Sequence, residues 1–190
     1  MKRLPSLLLA LAMFAPLASA QTSNWVPDKN HSSVDFSILH LSISKVRGHF
    51  GNITGTIAWN EADITKSTVN VTIDTTTIDT GVAQRDSDLK SPNYFDVAQF
   101  PTATFVSTSV ARNGNNLTVS GNLTLHGVTK PVVLQVEGPV GPKVMGNKTH
   151  SGFSATTTLS RTAFNIAPKT PAAAIGDEVN LTIDLDLIKQ

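Results

Sequence analysis

The chain has 190 residues, no cysteine, and 15 basic side chains against 14 acidic ones. This near-equal balance is not the excess of basic residues that is typical of nucleic-acid-binding proteins. The absence of cysteine excludes disulfides, thiolate metal sites and thiol chemistry. The length suits a single domain with a sizeable apolar core.

The first twenty residues have the three parts of a secretory signal peptide. Lys2 and Arg3 form a basic start, Leu7–Leu17 is an apolar run too short to span a bilayer, and Ala18-Ser19-Ala20 matches a cleavage site. We expect cleavage after Ala20, which leaves residues 21–190 as one domain and lowers the basic count from 15 to 13 against 14 acidic residues. The expected location is the bacterial periplasm or the extracellular medium.

Beyond the signal peptide, apolar and polar residues alternate with period two, the pattern of strands with one buried face. The alternation predicts strands around residues 34–38, 46–50, 53–59 and 69–73. A change of parity near Ile38–His40 predicts a bend or a bulge. A second change at Gly51-Asn52 predicts a bulge of the kind that lets barrels turn corners.

The stretch from Thr80 to Phe105 breaks this alternation. Its first part predicts a short helix from about Val82 to Lys90, capped by Thr80 and ended before Pro92. The aromatic residues that follow predict a plug inserted near the mouth of a barrel: Tyr94, Phe95 and Phe100.

Strands resume after this insertion, with turn signals between them. Asn113-Gly114-Asn115 is the strongest hairpin signal, His126-Gly127 predicts a second turn, and Pro131 permits only an edge or the start of a strand. Residues 138–142 predict a loop, and residues 161–175 predict another that contains one helical turn.

About eight strands and one short helix predict an all-β fold, either a barrel or a sandwich. The last strand alternates most cleanly and could pair with the first, which would remove both sheet edges. Polar outer faces rich in Thr, Ser, Asn and Asp indicate that the apolar face points inward. Small inward residues permit both close packing and empty volume, so a filled and a hollow lumen stay open; these residues are Gly55, Gly121, Gly138 and Ala155.

Seven short motifs follow one another along the chain. The first three are W-V-P-D-K-N-H-S-S-V-D-F at Trp25–Phe36, S-K-V-R-G-H-F at Ser44–Phe50, and R-D-x-x-L-K-S-x-x-Y-F-D at Arg85–Asp96. The others are F-P-T-A-T-F at Phe100–Phe105, L-T-L-H-G-V-T-K-P-V at Leu123–Val132, Arg161 with Phe164, and I-G-D-E-V at Ile175–Val179. Each motif alone is weak, but the ordered set covers essentially the whole mature chain and resembles the YceI-like proteins.

The resemblance implies an extended, eight-stranded, lipocalin-like antiparallel barrel that is exported to the periplasm. It also implies that the lumen binds a polyisoprenoid or a similar amphiphile, of the polyprenyl phosphate or quinone type, with quinone-related and stress-response roles. Two segments depart from the family pattern. Asp88 stands where the family motif has histidine, and Ala163 and Asn165 replace the residues of an R-x-D-F-G-like segment.

Candidate ligand contacts fall into an apolar set and a polar set. We expect the lumen to be lined by Phe36, Ile38, Phe50, Val71, Ile73, Phe95, Leu123, Phe153 and Phe164. We expect the ligand head group to meet Arg85, Arg47, Arg161 and His40, with Arg85 as the main candidate because guanidinium groups pair well with phosphate.

The sequence nominates neither a metal site nor a catalytic site. The five histidines show no H-x-x-x-H spacing, and His126 before Gly127 fits the capping of a turn. Ser32 follows His31, but there is no G-x-S-x-G motif and neighbours on a strand point to opposite faces. We therefore expect a lipid carrier that is not an enzyme. The alternative is a stress-response or interaction module with a filled barrel that docks a membrane redox partner, and a homodimer is compatible with both.

Overall fold

The computed structural model describes residues 21–190, so the predicted signal peptide lies outside the described residues. Ten strand segments and one α-helix, α1 (Ala83–Lys90), make up most of this part of the chain. The segments are β1 (Thr22–Pro27), β2 (Ser33–His40), β3 (Ser44–Phe50), β4 (Ile53–Asn60), β5 (Thr68–Asp74), β6 (Thr102–Asn113), β7 (Asn116–Leu125), β8 (Val128–Met145), β9 (Lys148–Ser160) and β10 (Ile175–Lys189). No helix among residues 21–190 is long and apolar enough to cross a membrane.

The ten segments form a closed, antiparallel, eight-stranded barrel. Segments β1 and β2 lie end to end as one interrupted strand, and β3 and β4 form the next, because β1 pairs with β4 while β2 pairs with β3. The remaining strands follow in chain order, and β10 returns to pair with both β1 and β2. The predicted barrel and its closure by the last strand are therefore confirmed.

One of the two predicted parity changes is present. In β3 the even-numbered residues from 46 to 50 face inward, whereas in β4 the odd-numbered residues from 53 to 57 do. The break between the two patterns falls at Asn52, which has a positive φ of 51°. Near Ile38–His40 strand β2 itself keeps a regular pairing with β3 up to His40. Its pairing with β10 shifts register at this place, between Ile175 and Val179, so the predicted irregularity falls on the partner strand. Beyond His40 the chain reverses through a tight hairpin in which Leu41 and Ser42 have positive φ.

The later turns follow the sequence signals, with one exception. Gly114 and Asn115 join β6 to β7, His126 and Gly127 join β7 to β8, and Pro131 precedes the part of β8 that pairs with β9. Residues 138–142 are not a loop. They continue β8 through two shifts of register against β9, because bulges absorb prolines without ending the strand.

Helix α1 begins one residue later than predicted, and its start is not capped as expected. Val82 is the N-cap residue and makes no side-chain capping bond. The Thr80 amide and hydroxyl instead both donate to the Asp86 carboxylate, within the first turn of the helix. At the other end, Ser91 ends the helix directly before Pro92, as expected.

The inward glycines serve close packing more than they create volume. A Cβ on Gly121 would lie 2.4 Å from the Phe105 ring, and one on Gly55 would lie 2.2 Å from the Asn70 carbonyl oxygen. Gly55 also has a φ of +126°, which a residue with a side chain rarely adopts. The empty space of the lumen therefore arises elsewhere along the barrel.

Candidate ligand-binding cavity

The barrel lumen contains a cavity of about 300 Å³ at the end covered by α1. Strands β2, β3, β9 and β10 contribute most of its wall, together with α1 and the aromatic segment that follows it. The volume falls at the lower end of the range found for small-molecule pockets. We call this space the mouth chamber.

A second cavity of about 140 Å³ lies deeper in the lumen. Its lining is almost entirely aliphatic and aromatic, and it shares Val34, Ile73, Leu123 and Leu181 with the mouth chamber. The shared residues place the two spaces end to end in one lumen. We call the second space the deep chamber; it suits the tail of a long apolar molecule.

All nine residues predicted to line the lumen border one of these chambers. Phe36, Ile38, Phe50, Ile73, Phe95, Leu123 and Phe164 border the mouth chamber, and Val71 and Phe153, with Ile73 and Leu123, border the deep chamber. Val34 and Leu181 border both chambers but were not among the nine predicted residues. Both belong to segments with period-two alternation, which could have identified them. Contact of these side chains with a ligand stays a prediction.

An aromatic cluster closes the mouth. Phe50 lies between two rings, with Phe36 at a centroid distance of 5.7 Å and Phe95 edge-on at 5.4 Å. The segment that carries Phe95 is folded back onto the end of α1, because the amides of Phe95 and Val97 donate to the carbonyls of Leu89 and Lys90. Backbone hydrogen bonds thus join the predicted aromatic plug to the last turn of the helix.

Four side chains with charged or imidazole groups border the mouth chamber: Arg85, Asp88, His40 and Arg161. We call the part of the chamber at Arg85 and Asp88 its polar end. Arg85 is half-buried, and its Nε and Nη2 donate to the Thr80 hydroxyl and carbonyl at 2.7 and 2.9 Å. Its Nη1 group makes no hydrogen bond to any residue that the structure describes. Asp88 lies one turn further along α1 and brings a negative charge to the same opening.

Arg161 is not available to a ligand head group, contrary to the prediction. Its side chain is 4% exposed, and its five N–H groups donate to five backbone carbonyls. The acceptors are Gly176, Ile166, Ala167, Thr170 and Ile175. Arg161 therefore holds the 165–176 loop in shape at one rim of the mouth chamber.

Asp177 supports the same loop from the other side. Its carboxylate accepts the Thr162 amide and hydroxyl at 3.0 and 2.7 Å. Hydrogen bonds from the Ser160 and Thr162 side chains lower the pKa of Asp177 below its usual value of 3.8. This carboxyl is thus held ionised as part of the fold, outside the ligand contacts.

Arg47 borders neither chamber, so the structure does not place it where the head-group prediction expected it. On β3 the residues that border the mouth chamber are Val46 and Phe50, which share one parity. Arg47 has the other parity and is exposed on the outer wall. Of the four predicted polar contacts, Arg85, His40 and Arg161 border the chamber, and the N–H groups of Arg161 are all bound to backbone carbonyls. Contact of Arg85 and His40 with a head group stays a prediction.

The histidines make local contacts in the part of the chain that the structure describes. His126 sits in the turn between β7 and β8, and its Nδ1 is 3.1 Å from the Phe164 carbonyl, as a turn-capping residue would be. On the outer wall, His31 Nδ1 is 3.1 Å from Asp28 Oδ2, and His150 Nδ1 is 2.8 Å from Asp186 Oδ1.

Comparison with known proteins gives a family match over nearly all of the described chain. A family model for the YceI-like domain matches residues 25–187. Protein YceI of Escherichia coli O157:H7 is 39% identical over 193 residues, which is 100% of this chain and 98% of that protein. Protein YceI of Salmonella newport is 39% identical over 192 residues, with the same coverage.

Solved structures share the fold. A Campylobacter jejuni YceI protein superposes with a TM-score of 0.72 at 28% identity, covering 80% of this chain and 90% of that one. Burkholderia cenocepacia BcnA gives a TM-score of 0.74 at 24% identity, covering 84% and 98%. A domain from Saccharophagus degradans, described as polyisoprenoid-binding, gives 0.63 at 14% identity, covering 90% and 100%. The last two likenesses bear on the fold alone.

Proposed function

The chain belongs to the YceI-like family, and from this premise we propose that it binds a long-chain isoprenoid or similar amphiphilic lipid in its lumen and carries it in the periplasm. One observation carries the proposal: two largely apolar chambers lie end to end inside a closed barrel and share four wall residues. The described polyisoprenoid binding of the Saccharophagus degradans domain makes isoprenoids the first ligand class to test.

Burial of the tail supplies the binding free energy. Each CH2 group moved from water into an apolar lumen contributes about 0.8 kcal/mol, so ten carbons contribute on the order of 8 kcal/mol before association costs. Apart from Ser67 and Thr157, the deep chamber is lined by apolar side chains, and no ionisable residue is among those that line it. Binding without catalysis is therefore sufficient to account for the site.

The polar end of the mouth chamber favours a neutral head group. Arg85 and Arg161 bring positive charge to this chamber, and Asp88 places a negative charge on the same helix as Arg85. The N–H groups of Arg161 already donate to backbone carbonyls, and Arg47 faces outward. A quinone-type head, which needs hydrogen-bond donors but no net positive charge, fits this set better than a polyprenyl phosphate does.

The hairpin between β2 and β3 is the element through which a carrier would exchange its lipid with a membrane. Leu39 borders the mouth chamber and is half-exposed, and Leu41 and Ile43 at the tip are 54% and 82% exposed. Exposed apolar side chains at the rim of an apolar chamber shorten the path of a lipid tail through water. The alternative of a filled barrel acting only as a docking module predicts no such internal space.

Organic extracts of protein purified from the periplasm of a bacterial host test the proposal. We expect mass spectrometry to detect an isoprenoid lipid in these extracts, and we expect added isoprenoid quinone to raise the melting temperature, because a ligand that binds only the folded state stabilises it. The absence of a co-purifying lipid, together with an unchanged melting temperature, would reject lipid carriage.

A further inference from the structure

A cluster of carboxylate and imidazole side chains lies on the outer wall, away from both chambers. Asp186 points outward from β10, because its neighbours Leu185 and Leu187 border the deep chamber. His150 on β9 has the same outward orientation, since the next residue, Ser151, is buried. Asp28 reaches this surface from the connection between β1 and β2.

These side chains converge from three separate parts of the chain. One ligand atom from each of Asp28, His150 and Asp186 lies within 4.8 Å of the other two. His31 adds a second imidazole, with its Nδ1 3.1 Å from Asp28 Oδ2. One imidazole and two carboxylates thus converge on one point of the surface, and a second imidazole lies beside one of the carboxylates.

The backbone fixes the position of this cluster. The Asp28 amide donates to the Asp186 carbonyl at 2.7 Å. The Ser32 hydroxyl donates to the same carbonyl, and the Asp186 amide donates back to that hydroxyl, both at 3.1 Å. Asp28 and Asp186 are therefore set side by side before any ligand arrives, although like charges repel at this range.

We propose that Asp28, His150 and Asp186 form a binding site for a divalent first-row transition metal such as Zn²⁺, with His31 as the fourth ligand. A tetrahedral zinc site places nitrogen and oxygen ligands about 2.0–2.2 Å from the metal. The three ligand atoms that lie within 4.8 Å of one another draw together to bind such an ion, and His31, which is 67% exposed, can rotate to complete the set. The dication offsets the repulsion between the two carboxylates.

The ligand types select the class of metal. Imidazole suits Zn²⁺, Cu²⁺ and Ni²⁺, whereas Mg²⁺ and Ca²⁺ take oxygen ligands almost exclusively. Lys143 and Glu137 both border the groove that His31, His150 and Asp186 line, and their opposite charges leave the negative charge of the cluster uncancelled. The site would clamp the β1–β2 connection to the seam between β9 and β10, which makes its role structural.

Zinc titration of chelator-treated protein tests the site, with melting temperature and calorimetry as readouts. We expect one Zn²⁺ per chain, a rise in melting temperature that a chelator reverses, and no response to Mg²⁺. His150→Ala and Asp186→Asn should each lower the zinc affinity at least about tenfold. Asp184→Asn and His49→Ala are matched controls, because Asp184 lies two residues away on the same outer face and His49 is an exposed histidine on β3.

The fold of each variant is checked by its melting temperature in the presence of chelator, which should equal that of the wild type within a few degrees. Wild-type protein that binds no zinc overturns the proposal. Zinc binding that survives unchanged in both His150→Ala and Asp186→Asn also overturns it. Equal loss in the two control variants would place the metal elsewhere and overturn the assignment of these ligands.

Discussion

The Phe95 ring meets the Phe50 ring edge-on, with their centroids 5.4 Å apart, across the opening of the mouth chamber. Phe50 belongs to the barrel wall, and Phe95 belongs to the segment wound back onto α1. The contact therefore couples the helical insertion to the barrel at the place where a ligand would enter. An edge-to-face pair of this kind contributes about 0.5–1.5 kcal/mol beyond its buried area.

Replacing Phe95 by alanine should loosen this closure. We expect a loss of about 2 kcal/mol in unfolding free energy, below the range for fully buried rings because Phe95 is half-buried, and faster release of bound lipid. Chemical denaturation and fluorescence-monitored dissociation measure the two effects. Val106→Ala, on the outer wall of β6, should change neither. Lipid release at the wild-type rate would show that Phe95 does not close the chamber.

Leu181→Trp should block the lumen where the two chambers meet. Leu181 borders both, so an indole at this position fills the connecting space and we expect lipid affinity to fall at least about tenfold. Titration with an isoprenoid quinone gives the affinity. Thr182→Trp is the matched control because Thr182 is exposed on the opposite face of β10. Full binding by Leu181→Trp would mean that the ligand does not use the lumen.

Asp88→Asn tests the charge balance at the polar end. Removing this negative charge should strengthen binding of a polyprenyl phosphate by about threefold to tenfold and leave a neutral quinone unaffected. Paired titrations with the two lipids compare the effects, and Ser87→Asn, on an exposed neighbouring position of α1, serves as the control. An equal change for both lipids would argue against an electrostatic role for Asp88.

Arg161→Lys should destabilise the fold and not merely weaken ligand binding. Lysine offers three N–H groups in place of five, so buried carbonyls of the 165–176 loop lose their donors. We expect a loss of about 2–4 kcal/mol in unfolding free energy, measured by chemical denaturation without ligand. Arg112→Lys on the exposed part of β6 provides the comparison. A stable variant with only reduced lipid affinity would restore Arg161 as a head-group contact.

The lowered pKa of Asp177 predicts a component of acid sensitivity. A carboxyl with a folded-state pKa below its usual 3.8 stabilises the fold fully above that value and loses this contribution as the pH falls through the lower folded-state pKa. Asp177→Asn should thus be less stable than wild type at neutral pH, and the difference should shrink below about pH 4. Denaturation across pH measures it, with Glu178→Gln as the control. A difference that is constant with pH would contradict this origin.

Much of the barrel was predictable because its signals are local. Period-two alternation identifies inward residues such as Phe36 and Ile73, and pairs such as His126-Gly127 identify turns. The strand through residues 138–142 was missed because proline signals a loop unless a bulge accommodates it, and the partner strand decides whether it does.

By itself, the sequence determined the all-β class, the helical insertion and the apolar character of the lumen, because each depends on neighbours within a few residues. Tertiary structure alone decided which arginine at the lumen keeps a free N–H group, since the carbonyls that accept from Arg161 come from a loop whose shape is set by packing. It also decided that Asp28, His150 and Asp186 meet. Strand register joins residues more than a hundred positions apart, and no local pattern encodes that distance.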